Sequence, residues 1–86
     1  MNLLIKGRVQ GVGYRWWAVG EARRRALRGW VRNQADGSVE ILAIGEEAAL
    51  EAFCEACRSG PAAARVASVD RTEASDDASA GFEERR

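Results

Sequence analysis

Eighty-six residues allow one small core, because a chain of this length buries only about two-thirds of the surface its unfolded form exposes, and no room is left for a separate cofactor domain. Thirteen Lys and Arg residues balance thirteen Asp and Glu residues, so the basic excess of a nonspecific nucleic-acid binder is missing and any anion site has to be local. Histidine is absent, which excludes a Ser-His-Asp triad, a Cys-His nucleophile pair and any imidazole metal ligand, and the only two cysteines, Cys54 and Cys57, cannot alone supply a tetrahedral zinc site.

A hydrophobic content of 47% is that of a folded chain rather than a disordered one. No apolar run approaches the ~20 residues needed to span a bilayer. Leu3-Leu4-Ile5 is too short for a signal-peptide core, and Lys6 interrupts it. These features lead to the expectation of a monomeric cytoplasmic protein with no membrane or nucleic-acid partner. One domain is expected over residues 1–86. The start at Met1 and the lack of a linker favour a free-standing protein over a piece of a larger one.

In chain order, Asn2 to Val9 reads as a strand, with Leu3, Ile5, Gly7 and Val9 on one face. Gln10 to Tyr14 is a loop, and Arg15 to about Ala26 a helix with a slim apolar stripe of Ala18, Val19, Ala22 and Ala26. Arg28 to Asn33 and Ser38 to Ile44 read as a hairpin around Asp36-Gly37, with Val39, Ile41 and Ala43 on one face. Gly45 and the pair Glu46-Glu47 mark a second helix start, with carboxylates at the favourable end of the dipole. That helix runs to about Arg58, carries Ala49, Leu50, Phe53, Ala56 and Cys57 at helical spacing, and stops at Gly60-Pro61. Arg65 to Ala74 is a further strand, although Val66 and Val69 break strict alternation. Ser75 to Ala80 is an acidic loop, and Gly81 to Arg85 a short last strand. The order strand, helix, strand, strand, helix, strand predicts an α+β ferredoxin-like (split βαβ) sandwich, an antiparallel sheet with two helices on one face.

The chemistry concentrates in Gly7-Arg8-Val9-Gln10-Gly11-Val12-Gly13-Tyr14-Arg15, between the first strand and the first helix. A glycine-rich turn entering a helix can aim several backbone N–H groups at one point, and the helix start adds its own free N–H groups and the positive end of its dipole. Arg15 stands in the first turn, where positive charge is disfavoured by roughly 0.3–1 kcal/mol. A bound dianion reverses that sign, which makes Arg15 a phosphate clamp. The loop is neither a dinucleotide fingerprint, since position 16 is Trp, nor a Walker loop, which needs Gly-Lys-Ser/Thr.

A second segment, Gly29-Trp30-Val31-Arg32-Asn33 followed by Asp36-Gly37, completes the pattern. Together the two segments resemble the acylphosphatase family, which pairs a G-x-V-Q-G-V-x-(aromatic)-R loop with a G-W-V-x-N strand and a D-G turn. The close agreement runs from Gly7 to about Glu40, with weaker agreement on to Gly81-Phe82. The resemblance implies the same ferredoxin-like architecture and a metal-free, cofactor-free hydrolysis of acyl phosphates to carboxylate and inorganic phosphate. It makes Arg15 the phosphate-binding arginine and Asn33 the residue that orients the attacking water. Backbone N–H groups of Gln10, Gly11, Val12, Gly13 and Tyr14 would hold the remaining phosphate oxygens. An amide positions a water without serving as a strong base, and a loose phosphoryl-transfer transition state asks mainly for positioning and charge stabilisation.

Three departures from the family pattern stand out. Arg25-Ala26-Leu27 replaces the usual Leu-Gly-Leu at the helix exit, Tyr14 replaces Phe, and Glu84 occupies a commonly apolar position of the last strand, which affects strand packing rather than the site. Cys54 and Cys57 fall inside the second helix and not at its start, so they read as two ordinary cysteines. The alternative to an enzyme is a noncatalytic module on the same fold that binds a phosphorylated ligand, or RNA through a sheet face bearing Trp30.

Overall fold

A computed structural model describes residues 1–86. Its elements are β1 (Asn2–Arg8), α1 (Tyr14–Arg24), β2 (Arg28–Asn33), β3 (Val39–Ile44), α2 (Glu47–Ser59), β4 (Arg65–Thr72) and β5 (Phe82–Arg85). They form a five-stranded sheet of order β4-β1-β3-β2-β5, with the helices packed on one face. The ferredoxin-like arrangement expected from the element order is present. The sheet is antiparallel through its first four strands, but β5 joins in parallel beside β2, so the whole sheet is mixed rather than antiparallel.

Alternation selects the core. Leu3 and Ile5 from β1, Val31 from β2, and Val39, Ile41 and Ala43 from β3 are fully buried on the helix-covered face. Against them pack Ala18 and Ala22 of α1 and Phe53, Cys54 and Cys57 of α2. The α1 stripe is narrower than its sequence spacing implies: Val19 is only partly buried and Ala26 is exposed. Tyr14 at its start and the small alanines Ala18 and Ala22 are what α1 buries, and Trp16 is left outside.

The irregular alternation of β4 has a local cause. The β1–β4 register shifts between Lys6 and Gly7: Lys6 pairs with Ser68 and Gly7 with Val66, so Ala67 is an extra residue in the ladder. Such a bulge resets which residues share a face, and Val66 and Val69 both reach the core despite their spacing of three.

The hairpin joining β2 and β3 is closed by a three-residue loop, Ala35-Asp36-Gly37, with Gly37 N–H donating to the Gln34 carbonyl at 3.2 Å and Gly37 at φ +94°. A glycine in the left-handed position is what hairpin loops of this length require. Asp36 Oδ1 accepts from the Ser38 N–H (2.9 Å) and hydroxyl (2.5 Å), which braces the turn.

The exit of α1 ends two residues earlier than the sequence spacing predicts. Leu27 N–H donates to the Ala22 carbonyl (3.0 Å) and Ala26 N–H to the Arg23 carbonyl (3.1 Å), with Ala26 at φ +56°. These two bonds define a Schellman cap, whose left-handed residue is ordinarily glycine. An alanine there is strained by roughly 1 kcal/mol. Ala26→Gly is therefore expected to stabilise the protein by about that amount, raising Tm by about 4–8 °C for a domain of this size. A thermal melt checks it, and an unchanged or lower Tm would refute the strain.

Candidate active site

The loop between β1 and α1 is built to leave donors free. Gly11 (φ +72°) and Gly13 (φ +79°) both take the left-handed conformation, and Gly13 is the N-cap of α1 with no side chain capping the helix. The first helical bond runs from Trp17 N–H to the Gly13 carbonyl at 3.0 Å, and no backbone N–H from Gly11 to Arg15 finds an acceptor within the protein. Alternating left-handed residues turn successive N–H groups toward a common concavity, an anion-binding nest, and here the nest runs directly into the positive end of α1.

Arg15 Nη1 donates to the Arg85 carbonyl at 3.0 Å and lies 3.7 Å from Glu84 Oε2, so the guanidinium is steadied by β5. Asn33 comes from the last position of β2, where it pairs with Val39. Its Oδ1 is buried and has no hydrogen-bond partner. A buried acceptor without a partner costs about 1–3 kcal/mol, and native proteins keep very few. A ligand or water held at that atom would remove the penalty.

Gly11, Gly13, Arg15 and Asn33 line one cavity of about 150 Å³, together with Val9, Tyr14, Trp16 and Glu84. A larger depression of about 560 Å³ lies elsewhere, around Met1, Leu50 and Arg71, and holds neither Arg15 nor Asn33.

Of the residues singled out in the sequence, Gln10 and Val12 do not line the cavity. Val12 packs partly against the core. Gln10 acts through its side chain: Nε2 donates to the carbonyls of Gln34 (2.7 Å) and Ser38 (2.9 Å) and thereby ties the loop to the hairpin that carries Asn33. Tyr14 lines the cavity while its side chain is buried. Its ring is buried edge-on to Trp17, and its hydroxyl donates to the Cys57 carbonyl at 2.6 Å near the end of α2. Glu84, read from the sequence as a matter of strand packing alone, lines the cavity and faces Arg15. Nothing in the sequence near Glu84 announces this, because it follows from the parallel docking of β5 on β2.

The remaining chemical groups are accounted for by structure. Cys54 and Cys57 are free and buried within α2. Burial pushes the Cys57 thiol up to about 12, which keeps it protonated. Trp30 lies on the face away from the helices, with the Arg32 and Arg85 guanidinium groups 5.0 and 5.1 Å from its ring and its Nε1 donating to Asp77 Oδ2 at 3.2 Å. Its ring is thus engaged by neighbouring side chains of the same sheet face.

Fold and site together define a class: a small ferredoxin-like α/β sandwich in which the glycines of the β1–α1 loop, an arginine and an asparagine line one cavity. Comparison with known proteins makes this specific. The family model for acylphosphatase matches residues 1–84. An acylphosphatase of Acidiphilium cryptum is 50% identical over 84 residues, spanning 98% of this chain and 92% of that protein. The crystal structure of acylphosphatase from Bacillus subtilis superposes with a TM-score of 0.95 at 41% identity, covering 99% of this chain and 96% of that one. An acylphosphatase structure from Coxiella burnetii gives 0.94 at 32% identity, covering 98% and 88%. The chain belongs to the acylphosphatase family.

The Gln10 bridge makes its own prediction. At about 1 kcal/mol per hydrogen bond, Gln10→Ala should lose about 1–2 kcal/mol of stability. Urea unfolding measures this, and a midpoint equal to that of the native chain would show that the bridge does not tie loop to hairpin.

Proposed function

We propose that the protein is a metal-free acylphosphatase, hydrolysing the carboxyl–phosphate bond of small acyl phosphates to carboxylate and inorganic phosphate. In this reading Arg15 holds two non-bridging oxygens of the phosphoryl group through its planar fork. The N–H groups of the Gly11–Arg15 nest take the remaining oxygens, and Asn33 Oδ1 accepts a hydrogen bond from the attacking water. The observation that carries the reading is the buried, unpartnered Asn33 Oδ1 in the same cavity as the free N–H groups and Arg15.

The balance of charges supports it. The Glu84 carboxylate is the only acid near Arg15, partly exposed and 3.7 Å away. Partly exposed ion pairs are worth about 0–1 kcal/mol. A phosphoryl dianion offers Arg15 two charge-assisted bonds and the nest several more, so the substrate displaces the carboxylate. The positive field from Arg15 and the N–H groups is in place before the substrate arrives, which is how preorganised charge lowers a barrier. The leaving carboxylate is stable without protonation, and a substrate phosphate oxygen can accept the proton of the water, so no strong base is called for.

The same reading takes the protein to be a cytoplasmic monomer that binds no nucleic acid. Support for the last point comes from the zero net charge and the engaged ring of Trp30. No helix is long and apolar enough to cross a membrane.

Hydrolysis of acetyl phosphate in the presence of a chelator tests the proposal. Arg15→Gln is expected to lose phosphate binding and turnover together. Asn33→Ala should lower kcat by about 10²–10³-fold, the usual effect of removing one well-placed polar group, while inorganic phosphate inhibits as before. Near-native turnover by Asn33→Ala would refute its water-positioning role. Phosphate that protects the native fold against heat, without any turnover, would point to the noncatalytic binding module.

A further inference from the structure

Arg15 and Glu84 are the one cation and the one anion that line the cavity shared with Asn33. Strand alternation places the carboxylate there. Phe82 is buried in the core, and Glu84 follows it two residues on, on the same helix-covered face of β5. Glu84 pairs with the buried Val31 of β2 and so stands beside the start of α1. Arg85 turns to the opposite face, where its guanidinium lies 5.1 Å from the Trp30 ring.

The closer of the two contacts between Arg15 and β5 is to backbone. Nη1 donates to the Arg85 carbonyl at 3.0 Å, while the Glu84 oxygen stands at 3.7 Å, beyond hydrogen-bond length. The guanidinium therefore keeps a hydrogen-bonded anchor if the carboxylate is neutralised. Arg15 and Glu84 side chains are 29% and 42% exposed, so their attraction adds little to the stability of the fold. What Glu84 does bring is a negative charge, set against a loop whose N–H groups and guanidinium favour an anion.

From this placement we propose that Glu84 is a built-in competitor of phosphate: it occupies Arg15 between turnovers and weakens the hold on substrate and product alike. This rests on the phosphate-binding role of Arg15 and deepens it. An entering phosphoryl group has to take the guanidinium from Glu84, and once bound it sits near a like charge. Substrate and inorganic phosphate share the group that Arg15 binds, so both bear the same penalty. A penalty common to the bound ground state and the transition state raises KM and leaves the barrier of the bound complex where it was. Its effect is felt at the end of the cycle. A weaker phosphate complex dissociates faster, since affinity differences between related complexes lie mostly in the off-rate, and accumulated product blocks the site less.

The test is titration of the native chain, Glu84→Gln and Glu84→Leu with inorganic phosphate, by calorimetry, at about 0.01 M and about 1 M salt, where the screening length falls from about 30 Å to about 3 Å. Gln keeps the shape of the side chain without its charge, and Leu removes charge and hydrogen bonding together. Both variants should bind phosphate about three- to thirtyfold more tightly than the native chain at low salt, and the gap should narrow at high salt. In turnover of acetyl phosphate, KM and the inhibition constant of phosphate should fall by one common factor. Variants that bind phosphate no more tightly than the native chain, a gap that high salt leaves untouched, or a change confined to kcat would each overturn the competitor while leaving the hydrolase reading intact. A native chain that neither binds phosphate nor hydrolyses acetyl phosphate overturns both.

Discussion

Everything at the site depends on a run of backbone N–H groups that the chain does not satisfy for itself. From Gly11 to Arg15 the loop and the first helical turn carry backbone donors that find no acceptor within the protein. The helix dipole adds positive potential there, and Arg15 adds a full charge at the end of α1 where it is least welcome. Each choice is unfavourable or neutral for an isolated fold. Under the function proposed above, a bound dianion would reverse that balance, and the buried, unpartnered Asn33 Oδ1 lies in the same cavity.

The scaffold holds these parts in register from three directions. Gln10 links the loop to both sides of the hairpin turn through the carbonyls of Gln34 and Ser38, so the loop is tied to the segment that carries Asn33. Tyr14 anchors the start of α1 to the end of α2 by its hydroxyl bond to the Cys57 carbonyl. The hydroxyl that distinguishes Tyr14 from the family's more usual Phe thus has a partner, as a buried hydroxyl requires. β5 steadies the guanidinium of Arg15 from the third side through the Arg85 carbonyl and the Glu84 carboxylate. A functional group held within tenths of an ångström needs such support, because long side chains otherwise spread over many rotamers.

The strain in the structure is distributed unevenly. At Gly13 the left-handed backbone is taken by a residue that adopts it freely, and the nest depends on it. At Ala26 the same conformation is forced on a residue with a Cβ, at an exposed helix exit far in sequence from the loop. The fold tolerates the second because the Schellman bonds and the buried Leu27 that follows them over-determine the turn.

The sequence by itself determined the element order, the helix-covered core face and the two motifs. Each depends on local periodicity and turn chemistry: Leu3 with Ile5, the glycines around Val12, Asn33 before Asp36-Gly37. The bulge at Ala67, which explains Val66 and Val69, was visible only as a broken alternation, since a bulge is defined by the partner strand. Which side of Gln10 matters, its backbone or its amide, was decided by tertiary structure, because the accepting carbonyls lie 24 and 28 residues away. The same holds for Glu84, which reaches Arg15 only because β5 docks in parallel beside β2, 69 residues further along the chain than the arginine it faces. Local rules reach a few residues along the chain, while a site is made by contacts between segments that only the closed sheet brings together.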